Sequence, residues 1–158
     1  MPFITGDLEL DDIGNGNYRL LADVVYRTAD GDIILAPQGM ETDLRSSPAI
    51  VSNIIVKIGG KADKPAVLHD FLYRSRYIMW MGVCSARLYT DDESEAKSTS
   101  DQIFLDAMTD EGDGYFDRYA SYWGVDLFGK SSWNGQTVES INAYRLIYKR
   151  RMQLLEGA

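Results

Sequence analysis

Histidine occurs once in this chain, at position 69, inside the apolar run Ala66-Val67-Leu68-His69-Asp70-Phe71-Leu72-Tyr73. Imidazole is the one side chain whose ordinary titration falls near neutrality, so a histidine beside a carboxylate is a candidate general base or metal ligand. The pair also has a bland reading. Polar groups within an apolar helix are costly to bury unless hydrogen-bonded, and His69 and Asp70 then serve only as a satisfied part of the core. A water-accessible cleft favours the first reading, and a sealed interior favours the second.

Three further elements are able to converge on this pair. Tyr73 follows His69 by four residues, so on a helix the base and the phenol share one face while Asp70 is turned to the side; Tyr73 also reads as a core ring. Asp101 shares a helix face with Leu105, and an antiparallel packing of the two helices brings its carboxylate to His69, where it would hold the imidazole in one tautomer. Its alternative is a solvated acid near a helix N-terminus. The segment Glu41-Thr42-Asp43-Leu44-Arg45-Ser46-Ser47-Pro48 offers Thr42, Asp43 and Ser47 for the polar end of a substrate, while the alternative has Asp43, Ser46 or Ser47 capping a turn or helix that begins near Pro48. Lys97 and Arg74 are suited to balancing these acids or binding an anionic substrate, and otherwise read as surface charges. No cofactor is clearly implied. A divalent cation, if one is held, would fall to Asp70 and Asp43.

The elements that must position these residues are legible in outline. The turn Gly14-Asn15-Gly16-Asn17 and the loop Ala29-Asp30-Gly31-Asp32 separate β-rich runs: a strand around Phe3 to Leu10, another across Tyr18 to Tyr26, and Ile33 to Ala36. After Gly39 the periodicity becomes helical. One helix begins at Lys64-Pro65 and runs on toward Met79. A second starts within Thr90 to Glu95 and stops before Gly112, an aromatic segment over Tyr115 to Gly124 forms a third helix or turn, and a last helix spans about Val138 to Leu155. The fold class is therefore α+β. A small N-terminal antiparallel sheet (β-rich 1–44) precedes a bundle of three to four helices (α-rich 45–158), within a single domain of 158 residues.

Composition narrows the classes. A formal net charge of -8 argues against a general nucleic-acid binder, which needs clustered Lys and Arg. The one basic stretch, Tyr144 to Arg151, suits the C-terminal dipole of the last helix. Cys84 is the single cysteine, so an intrachain disulfide and a paired-cysteine metal or redox site are excluded. The opening Met1-Pro2-Phe3-Ile4-Thr5-Gly6-Asp7 lacks the basic and apolar regions of a signal peptide, and no run has the length of a membrane span.

The run Ala36 to Pro48, the run His69-Asp70-Phe71-Leu72-Tyr73 and the run Lys97 to Met108 occur in an order that resembles the phage and prophage family known as domain of unknown function 1353. Its pattern reads P-x-G-F-x-T-D-L-A-S-x-P, then H-D-x-L-Y, then R-x-x-A-D-x-x-F-x-x-A-M, and the likeness extends from the second strand through Gly129. Met40, Arg45, Lys97 and Ser100 depart from that pattern, while Asp43, His69, Asp70, Tyr73 and Asp101 keep it. A looser similarity links His69, Asp70, Tyr73 and Asp101 to the helix pair of secretory phospholipases, without their calcium loop or disulfides. The family resemblance implies a phage origin and no activity. The expectation is a virion or assembly component, tail-associated, located in the virion or the host cytoplasm. Its partners would be other phage structural proteins, or a second copy in a homo-oligomer. The alternative is a phage-encoded hydrolase in which His69, oriented by Asp101, activates water.

Overall fold

The structure, a computed structural model, describes residues 3–43, 63–79, 86–88, 93–112 and 133–157. Strands β1 (Leu10–Gly14) and β2 (Asn17–Leu20) form a hairpin closed by Asn15 and Gly16, both at positive φ (57° and 75°). Those angles are what a two-residue turn of the type that follows strand twist demands, and Asn-Gly adopts them at least cost. Strands β3 (Val24–Arg27) and β4 (Ile33–Ala36) form the second hairpin, with Val24 opposite Ala36 and Arg27 opposite Ile33. Gly31 in its loop has a φ of 89°. Strand β5 (Glu41–Thr42) pairs with β2.

The run from Tyr18 to Tyr26 was expected as one strand and is two, which enter different sheets: β1-β2-β5 in one and β3-β4-β6-β7 in the other. The break falls at Asp23. Its carboxylate accepts the Gln38 amide at 2.8 Å and the Arg151 guanidinium at 2.9–3.0 Å, fixing a corner where a strand would have continued. The expected strand over Phe3 to Leu10 is reduced to a single bridge between Phe3 and Tyr26, with regular pairing starting at Leu10.

Helix α1 (Asp63–Ser75) is the central element, and every residue from Val67 to Tyr73 is buried. Pro65 near its start lacks the amide that the first turn leaves unpaired anyway. The helix does not reach Met79. Arg76 takes a positive φ of 58° and donates its amide to the Leu72 carbonyl at 2.9 Å, a left-handed cap that turns the chain into β6 (Tyr77–Met79). Strand β6 joins β4, and β7 (Ala86–Leu88) joins β6, so the second sheet also draws strands from beyond the first helix.

Helix α2 (Glu93–Glu111) packs antiparallel to α1, as the pairings Lys64 with Glu111, His69 with Asp101, and Lys97 over the Tyr73 ring require. Helix α3 (Val138–Glu156) opens with a capping box in which Thr137 and Ser140 each satisfy the other's backbone amide. Tyr26, Phe71, Leu20, Ile34, Met40, Leu68 and Leu72 are among the large, fully buried side chains of the core that sheets and helices share. Burying each side chain of this kind contributes about 1.5–3 kcal/mol. Ser47 and the aromatic segment from Tyr115 to Gly124 lie outside the described residues.

Candidate functional site

Because α1 is buried from Val67 to Tyr73, its polar residues there need partners, and they find them in two hydrogen-bonded networks. The first joins α1 to α2. The Nε2 of His69 lies 2.9 Å from Oδ1 of Asp101, and the Tyr73 hydroxyl donates to the same oxygen at 2.5 Å. Oδ2 of Asp101 accepts from Lys97 Nζ at 2.6 Å. The His69 and Tyr73 rings are tilted, with centroids 4.0 Å apart, and Phe104 lies against the imidazole at 5.0 Å. Trp133 closes the far side of Tyr73 edge-on.

Asp101 is 1% exposed, so it is not the solvated N-terminal acid of the alternative reading. Burial works against its charge, yet the hydrogen bonds from His69, Lys97 and Tyr73 hold the carboxyl below the ordinary range. It is therefore ionised at neutral pH. An ionised carboxylate can only accept, so the proton on the neutral imidazole is at Nε2 and the lone pair is at Nδ1. Among the described residues nothing hydrogen-bonds Nδ1, and the His69 side chain keeps 10% of its surface open.

The second network joins the other side of α1 to β5 and α3. The Thr42 hydroxyl donates to Oδ2 of Asp70 at 2.5 Å, and both residues are buried. Arg74, one turn further along, donates to the Glu41 carbonyl at 3.2 Å and to the Tyr144 hydroxyl, and lies 3.8 Å from Asp43. Tyr144 also donates to the Glu41 carbonyl, at 3.0 Å. Burial pushes the Asp70 carboxyl above its ordinary range, with Asp43 adding to the rise, despite the opposing pull of Arg74 and Thr42.

The structure thus brings together His69, Tyr73, Asp101 and Lys97, and separates Asp70 from them although it is the next residue. Thr42 and Asp43 belong to the Asp70 network, not to the imidazole. Lys97 and Arg74, read as surface charges in one alternative, are both turned toward carboxylates. Among the described residues no three His, Cys, Asp or Glu side chains form a group that could hold a metal. No helix among them is long and apolar enough to cross a membrane.

Sequence reasoning missed Tyr144 and Trp133. Tyr144 stood at the head of the basic stretch assigned to the last helix's C-terminal dipole. That stretch lies instead within α3, where Arg145 donates to the Ser75 carbonyl at 2.8 Å and Arg151 to Asp23, and the last turn holds no basic residue. Only the alternation of aromatic and basic residues hinted at an inward face.

No curated protein and no solved structure matches the chain. The family model described as "Protein of unknown function (DUF1353)" matches residues 18–125, well over half of the chain and the whole span from Thr42 through Asp101. The matched span holds Thr42, Asp43, His69, Asp70, Tyr73, Arg74, Lys97 and Asp101, while Tyr144 and Trp133 lie beyond it, and on this match the chain belongs to the DUF1353 family.

Proposed function

We propose that the protein is a hydrolase in which His69 is the general base and Asp101 its orienter. The observation that carries this reading is the one-sided pairing of the imidazole: Nε2 is spent on Asp101, while Nδ1 is unpaired among the described residues on a side chain that still reaches solvent. A water placed at Nδ1 would lose its proton there as it attacks an ester, amide or phosphoester. The resulting imidazolium is stabilised by the Asp101 carboxylate and then returns the proton to the leaving group. Tyr73 contributes by holding the carboxylate from a second direction.

The test uses purified protein with p-nitrophenyl acetate, a peptide anilide and bis-p-nitrophenyl phosphate. Hydrolysis of one of them above the buffer rate is expected to fall by about 10²–10⁴-fold in His69→Gln, the usual worth of a positioned base. Failure of the folded protein on all three, with a His69 ring that resists diethyl pyrocarbonate, discards the reading.

A second reading, a phage virion or assembly component, is favoured by the closure of the networks. Asp101 and Asp70 are both buried and hydrogen-bonded, and such internal polar networks specify a unique packing without catalysis. On this reading the chain is tail-associated, found in the particle or the host cytoplasm, and binds other structural proteins or itself. Mass spectrometry of purified particles decides it: stoichiometric presence supports it, and absence from particles and assembly intermediates removes it.

A further inference from the structure

We infer that Lys97 is a positioning residue for His69, acting through Asp101: by anchoring Oδ2 it keeps Oδ1 turned toward the imidazole and the phenol. The inference rests on the reading of His69 as the base. A carboxylate held at one oxygen only is free to turn about its terminal torsion, whose preferences are broad and nearly two-fold. Here Oδ1 takes both His69 and Tyr73, at 2.9 and 2.5 Å, and Lys97 takes Oδ2 at 2.6 Å. With a donor at each end, the carboxylate plane is locked, and so is the direction in which the imidazole offers Nδ1.

Two features separate this pair from an ordinary helix-surface salt bridge. Lys97 precedes Asp101 by four residues, and for such pairs the order with the acid first is the more stabilising one. The Lys97 side chain is also only 14% exposed, with Nζ 5.8 Å from the centre of the Tyr73 ring, whereas lysines are mostly exposed. Its ammonium is thus committed to the interior, where it serves the carboxylate that orients the base. Thr42 and Arg74 face Asp70 on the other side of the helix, whereas Lys97 is the cationic side chain hydrogen-bonded to Asp101 among the described residues.

The experiment follows the imidazole nitrogens and the Nε2 proton by NMR in full-length ¹⁵N-labelled protein, where a single histidine makes assignment unambiguous. Wild type, Lys97→Met, Lys97→Arg and Asp101→Asn are compared at a pH where the ring is neutral. The wild type is expected to carry its proton at Nε2 with slow exchange to water. Lys97→Met is expected to exchange that proton about tenfold faster, the opening that follows loss of one charge-assisted hydrogen bond. Lys97→Arg is expected to return to near the wild-type rate. A merely structural lysine would lower stability without moving this signal. A wild-type exchange rate in Lys97→Met, or no recovery in Lys97→Arg, overturns the inference. Should Lys97→Met fail to fold, Lys97→Ala, which admits water where the stem lay, is read in its place with the same expectation. Asp101→Asn separates the inference from the reading beneath it. An amide that donates to Nε2 moves the proton to Nδ1, and a variant that instead keeps the wild-type tautomer and exchange rate removes the His69–Asp101 dyad itself.

Discussion

His69 and Tyr73 stand one turn apart on α1 and share a single acceptor, Oδ1 of Asp101, so the orientation of the imidazole and that of the phenol are set by the same atom. Oδ1 thus accepts two donors from α1 at the interface with α2. Any change to that carboxylate must therefore disturb the base and the helix interface together.

Asp101→Asn tests this coupling. Replacing the charge weakens the charge-assisted bonds to Tyr73, His69 and Lys97 at a buried site, a loss of about 2–4 kcal/mol of stability. Urea denaturation measures it. If hydrolysis is found, its rate should fall by about 10²–10⁴-fold in the same variant, because the amide favours the wrong tautomer. A variant as stable as the wild type contradicts the network's energetic role.

Asp101 and Asp70 act on pH dependence in opposite directions. The Asp101 carboxyl, held below its ordinary range by its donors in spite of burial, contributes stability that is present above the unfolded value and lost as pH falls through the lowered native one. The Asp70 carboxyl, raised by burial, costs stability while ionised, and that cost is relieved as pH falls through its raised native value. The melting temperature should therefore rise on going from neutral to mildly acidic pH and fall only below about pH 4, where ordinary aspartates protonate. Scanning calorimetry of wild type and Asp70→Asn separates the two: the acidic rise should flatten in the variant. Identical profiles would mean that Asp70 carries no burial cost.

Thr42→Val preserves shape and removes one hydroxyl. Because Thr42 is 1% exposed and its hydroxyl donates to a buried carboxylate, the substitution should cost about 1–3 kcal/mol, far more than a surface Thr to Val change. Chemical denaturation of the variant alongside Thr28→Val, whose hydroxyl accepts a backbone amide in a partly buried hairpin loop, gives the comparison. Equal effects would deny the Asp70 contact any special weight.

Arg76 ends α1 in a left-handed conformation that glycine adopts without penalty, yet its guanidinium stacks 4.0 Å over the Trp133 ring and donates to the Trp133 carbonyl at 3.1 Å. Arg76→Ala keeps the backbone strain and loses the stacking, whereas Arg76→Gly loses the stacking and relieves the strain. The glycine variant should be the more stable of the two by about 1 kcal/mol, and less stable than the wild type by about 0.5–2 kcal/mol. The reverse order between Ala and Gly would show that φ at residue 76 is not what the cap requires.

Local chemistry wrote much of this fold into the chain. Asn15-Gly16 closes a two-residue hairpin turn because both positions need positive φ, Pro65 opens α1, and the apolar repeats of α2 and α3 place their ends within a few residues of where they fall. The four-residue spacing of His69 and Tyr73 likewise guarantees one shared helix face, whatever lies opposite. What lies opposite was decided only by tertiary packing. Asp101 reaches His69 across 32 residues of sequence and Thr42 reaches Asp70 across 28, distances at which no periodicity constrains the partner. The run from Tyr18 to Tyr26 has strand chemistry throughout, and the corner that breaks it in two is held by distant partners, Arg151 and Gln38 on Asp23. The inward turn of Lys97 is equally invisible locally, since an exposed and a buried lysine at that helix position have the same neighbours in sequence. Adjacent residues His69 and Asp70 enter different networks because a helix rotates them about 100° apart, and the surrounding layers, α2 on one side and β5 with α3 on the other, supply each with a different partner.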